Sequence, residues 1–205
     1  MSHLKKRILG QKAVVFTIGH STRTISEFIE IIQAYKIKKV VDIRTIPKSR
    51  HNPQFNEDTL KESLKATKIG YLHMKGLGGL RHSLKDSPNM GWRNSSFRGF
   101  ADYMQTGEFE ESIEKLIAAA EKRATVIMCA EAVPWRCHRS LVGDALLVRG
   151  IQVRHIMSAG SSRDHTLTPW AKVKGTNITY PSELGAQDAS RLMKVKPKNI
   201  TITAT

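Results

Sequence analysis

The stretch CAEAVPWRCHRS, residues 129–140, places the chain's two cysteines beside a glutamate, a histidine and two arginines. Four readings suit these residue types. In the first, Cys129 is a nucleophile, because a thiolate after a strand, near a helix N-terminus and arginines, has a lowered pKa. The cysteine-phosphatase spacing of five residues between Cys and Arg is not met, since six separate Cys129 from Arg136. Glu131 also brings negative charge to where a phosphate would sit. In the second reading Cys129, Cys137 and His138 bind a metal with a distant His20 or His155, although Cys-x7-Cys-His is not one of the short pairings that zinc favours. In the third, His138 and Arg139 open a helix whose free amides attract a phosphate. Arg139 then clamps the phosphate, and Glu131 serves as general acid or base. The two cysteines are packing residues in that case. In the fourth, the segment is structural. The third reading fits the residue types best, and the thiol reading of Cys129 and Cys137 stays open beside it.

The surrounding chain alternates strand-like and helix-like stretches. VVFTI (14–18) is a continuous apolar run, as expected of a strand buried on both faces. Thr24 and Glu27 have capping-box spacing, and Ile25, Phe28, Ile29, Ile32 and Tyr35 follow at helical spacing. KVVDI (39–43) and IGYLHM (69–74) read as strands flanking a short helix in NEDTLKESLKA. GEFEESIEKLIAAAEKR has acids first and bases last, in line with the helix dipole. ATVIMC, HRSLVGDALLVRG and IQVRHIM then read as strand, helix and strand. Such alternation predicts an α/β fold in a single domain: a mostly parallel sheet of about five strands with helices on both faces.

Ligands of open α/β sheets bind at the carboxyl ends of the strands. Here those ends carry Gly19, His20, Ser21 and Thr22, then Asp42 and Arg44, then His73, then Cys129 and Glu131, with His155 in the last strand. The expected site has Glu131 as acid/base, Asp42 as second carboxylate, and His20 and His138 orienting groups. Gly19, Ser21, Thr22, Arg44 and Arg139 hold the ligand. A buried Asp42–Arg44 pair of purely structural meaning is the alternative.

Residues 75–98 show no periodicity, and a loop of this length inside a domain is usually functional or disordered. Its basic and aromatic residues suit a nucleotide or single strand. Arg81 and Trp92 are the ligand candidates, and the loop would form a lid. Phe97, Phe100 and Tyr103 read better as one face of a short helix packed on the core. The glycines match neither a Walker loop nor a dinucleotide fingerprint.

Across 205 residues, 33 Lys+Arg against 18 Asp+Glu give a net charge of +15, which favours a nucleotide or nucleic-acid partner. No apolar run reaches the length of a membrane span, and the N-terminus lacks a signal-peptide pattern. A cytoplasmic location and no membrane partner are expected, with the cysteines as thiols.

In order, TIGHST (17–22), VVDIRTIPKS (40–49), GLGG (76–79), FRGFADYM (97–104), CAE (129–131), CHR (137–139) and RHI (154–156) resemble the domain-of-unknown-function family numbered 488. The resemblance spans roughly residues 14–157. It implies one α/β domain and supplies no reaction. Its motifs fall on Gly19, His20, Ser21, Asp42, Arg44, Cys129, Glu131, Cys137, His138 and Arg139.

The expected organisation is a basic N-terminal extension (1–12), the α/β domain (13–160) and a basic, partly irregular C-terminal segment (161–205). The expected function is binding of a phosphorylated ligand, nucleotide or nucleic acid, with hydrolysis or transfer at it. The alternatives are a non-catalytic nucleic-acid-binding module and a cysteine-dependent thiol or phosphatase-like enzyme. No cofactor is assigned, and the metal reading of the cysteines stays open.

Overall fold

A computed structural model describes residues 13–182. The expected N-terminal extension and the end of the C-terminal segment lie outside the described residues. The strands β1 (Val14–Gly19), β2 (Lys39–Asp42), β3 (Gly70–His73), β4 (Thr125–Cys129), β5 (Gln152–Ser158) and β6 (Ser161–Asp164) form one six-stranded sheet in the order β3-β2-β4-β1-β5-β6. The first five are parallel, and β6 returns antiparallel to β5. The helices are α1 (Ile25–Ala34), α2 (Glu57–Ala66), α3 (Ser95–Tyr103), α4 (Gly107–Lys122) and α5 (Arg139–Leu147). The α/β architecture therefore holds, as a single domain with a mixed, mostly parallel sheet.

Alternation along each strand divides the core. Ile18, Val40, Val126 and Met128 pack with Phe28, Ile32, Leu60 and Leu64 of α1 and α2. Val15, Val41 and Ile127 pack on the other face with Phe100, Ile113, Leu116, Leu141 and Leu146 of α3, α4 and α5. β4 is buried along its whole length, which is why ATVIMC carries no polar alternation. Thr24 and Glu27 close the capping box of α1 from both sides, so two of its free amide donors are satisfied by side chains.

Two segments depart from the sequence expectation. The unperiodic loop contains a 3-10 turn at Lys75–Leu77 and ends in α3, which Asn94 caps through the amides of Ser96 and Phe97. Phe100 and Tyr103 are buried on one face of α3, as the helical reading of FRGFADYM requires. Beyond residue 160 the chain adds β6 and a two-stranded hairpin, β7 (Lys172–Lys174) with β8 (Asn177–Thr179). The tertiary anchor here is polar. Asp144 of α5, fully buried, accepts bonds from His165 Nε2 at 2.9 Å, the Thr168 amide at 3.0 Å and the Tyr180 hydroxyl at 2.8 Å. Hydropathy periodicity carries no trace of such contacts. Among the described residues no helix is long and apolar enough to cross a membrane.

Candidate functional site

The strand order fixes where a cleft must open. The chain leaves β1 toward β2 on one side and leaves β4 toward β5 on the other, yet β1 and β4 are neighbours with Gly19 opposite Cys129. The connections after these two strands diverge, leaving a crevice at their carboxyl ends. A cavity of about 400 Å³ lies there, lined by His20, Arg44, Glu131 and the Cys129, Cys137, His138 group, among others. Its size lies within the range of small-molecule sites, roughly 300–1,000 Å³.

Arg44 is 6% exposed. Its Nε donates to both oxygens of Asp42, at 2.9 and 3.1 Å, and Nη2 donates to Asp42 Oδ2 at 2.5 Å and to the Phe55 carbonyl at 2.8 Å. Nη1 points to His20 Nε2 at 3.4 Å. Asp42 is fully buried and also receives the Tyr71 hydroxyl at 3.0 Å. Burial and the Asp42 charge push the Tyr71 hydroxyl far up, so it stays a donor. Asp42 is thus the fixed counter-ion of Arg44 and is not among the cavity-lining residues.

His20 stacks on Phe55 with centroids 4.2 Å apart, and its Nδ1–H donates to the Ser21 carbonyl at 2.8 Å. Burial holds its pKa down to about 4, with Arg44 and Arg139 acting in the same direction. The ring is neutral at pH 7, and Nε2 carries the lone pair that faces Arg44. Ser21 sits at φ 51, and Thr22 is exposed in the following turn; neither lines the cavity. Gly19 serves packing: a Cβ there would overlap the Glu131 carbonyl oxygen and crowd Arg139 Nη2.

Arg139 is 1% exposed and turns inward. It donates from Nη2 to the Glu131 carbonyl at 2.5 Å, from Nη1 to Thr17 Oγ1 at 3.5 Å and from Nε to Cys137 Sγ at 3.4 Å. Its guanidinium braces the segment that the sequence reading expected it to serve as a phosphate clamp, and it is not among the cavity-lining residues. The Glu131 side chain is exposed and, among the described residues, is the one carboxylate lining the cavity.

On the α5 side, both cysteines are buried free thiols. His138 Nε2–H donates to the Ile43 carbonyl at 3.2 Å, which leaves Nδ1 facing Cys137 Sγ at 3.7 Å and Cys129 Sγ at 4.0 Å. The cysteines titrate as a pair. The hydrogen bond from Cys129 holds Cys137 well below the usual thiol range, aided by His138 and Arg139 against burial. The same bond, together with burial, pushes Cys129 up.

Arg81 lies over the Tyr103 ring at 3.5 Å, with Nε on the Gly78 carbonyl at 3.2 Å. Trp92 packs among Phe97, Trp170 and Tyr180 and lines a second cleft of about 270 Å³ with His155 and His165. Neither lines the first cavity. Lys48, Arg136, Asn94 and Ser96 do; the sequence reading weighs Arg136 only against a phosphatase spacing and does not single out the other three. Lys48 lies four residues after Arg44 in the loop after β2, the one signal that pointed to any of those three.

His155 carries a pH prediction. Thr17 Oγ1 lies 2.7 Å from its Nδ1 and His165 Nδ1 lies 3.0 Å from its Nε2. Burial drives its pKa down to about 3, assisted by the charges of His165, Arg139 and Arg163 and opposed by Cys137. Between pH 6.5 and about 3 the unfolded chain binds the proton that the folded chain refuses, so this contribution is complete above pH 6.5 and is lost as pH falls. Urea midpoints measured from pH 7.5 to pH 5 should fall, and should fall less in His155→Asn. Equal slopes for the two proteins would refute the assignment.

No curated protein and no solved structure matches this chain. A family model, the domain of unknown function DUF488, matches residues 24–146, a stretch that contains the Asp42–Arg44 pair, the 129–139 segment and nearly all of α5. The chain belongs to the DUF488 family.

Proposed function

We propose that the protein binds a phosphorylated ligand, a nucleotide or the end of a nucleic acid, in the crevice between β1 and β4 and catalyses hydrolysis or transfer at it. The observation that carries this reading is Arg44. A guanidinium locked by Asp42 and the Phe55 carbonyl, with Nη1 making the long 3.4 Å contact to His20, on a residue that lines the cavity, is preorganised for an anion. Lys48 and Arg136 add exposed positive charge on the walls, and the net charge of +15 attracts polyanions from a distance. Glu131 is the acid/base in this reading, since it is the carboxylate that reaches the cavity.

Calorimetric titration with inorganic phosphate, nucleoside phosphates and unphosphorylated nucleosides tests it. Phosphorylated ligands should bind, nucleosides should bind far more weakly, and Lys48→Ala with Arg136→Ala should cost about 10-fold or more. Equal affinity for nucleoside and nucleotide would overturn the reading. Glu131→Gln should keep binding and lower turnover by about 10²–10⁴-fold. Binding to any nucleic acid that falls steeply with salt and ignores Glu131→Gln would instead support the non-catalytic module.

One observation favours the cysteine-dependent alternative: Cys137 Sγ receives Arg139 Nε and faces His138 Nδ1. That reading requires turnover to vanish in Cys137→Ser and survive in Glu131→Gln.

A further inference from the structure

The geometry points to a zinc site formed by Cys129, Cys137 and His138, with its fourth position open to the cavity. The Sγ atoms of Cys129 and Cys137 and Nδ1 of His138 all lie within 4.8 Å of one another. The two sulfur-to-nitrogen separations are 4.0 and 3.7 Å. A tetrahedral zinc ion with bonds of about 2.3 Å to sulfur and about 2.05 Å to nitrogen separates those atoms by about 3.6 Å. The two sulfur-to-nitrogen separations therefore stand within a few tenths of an ångström of that value, and the two sulfurs lie within 4.8 Å of each other.

The outer contacts fit the same purpose. A metal-ligating histidine usually donates its other ring N–H to a carbonyl or carboxylate, which fixes its tautomer. His138 Nε2–H does this with the Ile43 carbonyl, so Nδ1 is the free lone pair. Arg139 Nε donates to Cys137 Sγ at 3.4 Å, the kind of bond that supports a buried thiolate ligand. The Gly79 backbone lies close against the His138 ring, and a Cβ at residue 79 would collide with Nδ1. A side chain is excluded where the nitrogen needs clear space.

Two thiolates and an imidazole select zinc over the hard cations magnesium and calcium. Three protein ligands with one open position is the pattern of zinc sites that bind water or substrate, whereas purely structural sites use four. All three residues line the cavity, so the open position faces the space where the ligand of the proposed function would lie. The zinc site does not depend on that function, and its test reads the metal alone.

The full-length protein, purified under reducing conditions without chelator, should contain one zinc per chain by elemental analysis. After removal of the zinc, Co²⁺ should produce thiolate-to-cobalt charge-transfer absorption and the intense visible bands of a tetrahedral ion. Cys129→Ser, Cys137→Ser and His138→Gln should each weaken Zn²⁺ binding by about 10- to 100-fold or more. A misfolded variant would also lose zinc, so the wild-type chain carries an independent measurement: Zn²⁺ should protect both thiols from alkylation. The site is refuted if the metal-free protein binds Zn²⁺ no more tightly than the Cys129→Ser/Cys137→Ser protein does. Octahedral cobalt spectra would refute it too, as would thiols alkylated equally fast with and without zinc.

Discussion

Replacing Asp42 by alanine should lower the unfolding free energy by about 3–5 kcal/mol, the cost of leaving a buried charge without its partner. The carboxylate is fully buried and takes three donor contacts from the Arg44 side chain, the Arg44 backbone amide at 3.0 Å and the Tyr71 hydroxyl. Without it, the guanidinium keeps the Phe55 carbonyl and the long contact to His20, too little to offset its desolvation. Urea or guanidinium unfolding measures the loss. A companion variant separates charge from packing: Asp42→Leu with Arg44→Met removes both ions at similar volume and should cost much less than Asp42→Ala alone. That double variant should also lack the proposed phosphate binding while staying folded, so stability and ligand affinity can be read apart. A single variant that unfolds within about 1 kcal/mol of the wild type would show that the pair does not hold the cavity wall.

Asp144→Ala should have a comparable effect, about 3–5 kcal/mol, by a different route. One carboxylate serves three donors from the segment after β6: His165 Nε2, the Thr168 amide and the Tyr180 hydroxyl. Each donor left buried and unpaired costs about 1–3 kcal/mol. Burial, the largest cause of the raised Tyr180 hydroxyl, remains in the variant, so Tyr180 cannot relieve the loss by ionising. Tyr180→Phe removes one of these bonds and should cost only about 1 kcal/mol. Hydrogen exchange gives the finer test. The Thr168 amide should lose protection in Asp144→Ala while the amides of β1 and β4 keep theirs at low denaturant. Unchanged protection at Thr168 would mean that the segment is held by the Trp92, Trp170 and Tyr180 contacts instead.

The aqueous edge of this sheet was largely legible from sequence because it follows from periodicity. Continuous apolar runs such as VVFTI and ATVIMC suit strands packed between helices, and the capping pair Thr24–Glu27 marks a helix start by local bonding alone. Residues at strand ends therefore had to meet at one edge, and His20, Arg44, Cys129, Glu131 and His138 do share one cavity. The strands after residue 160 were not legible, since polar contacts across the chain to Asp144 leave no periodic pattern in the local sequence.

What the sequence determined by itself was the α/β class and the set of chemically capable groups at one sheet edge, because local propensity and burial pattern are written in neighbouring residues. Only the tertiary structure decided which of those groups face the cavity. Arg44 and Arg139 are the same residue type at comparable positions, one after a strand and one opening a helix. Arg44 is pinned by Asp42 and lines the cavity, whereas Arg139 is spent on Thr17, Cys137 and the Glu131 carbonyl and does not. Likewise the cysteines, eight positions apart in sequence, draw their meaning from the Ile43 carbonyl that turns His138 Nδ1 toward them. Such partners lie up to 122 residues away along the chain. Packing brings them together, and with them the protonation, orientation and access that turn a residue type into a functional group.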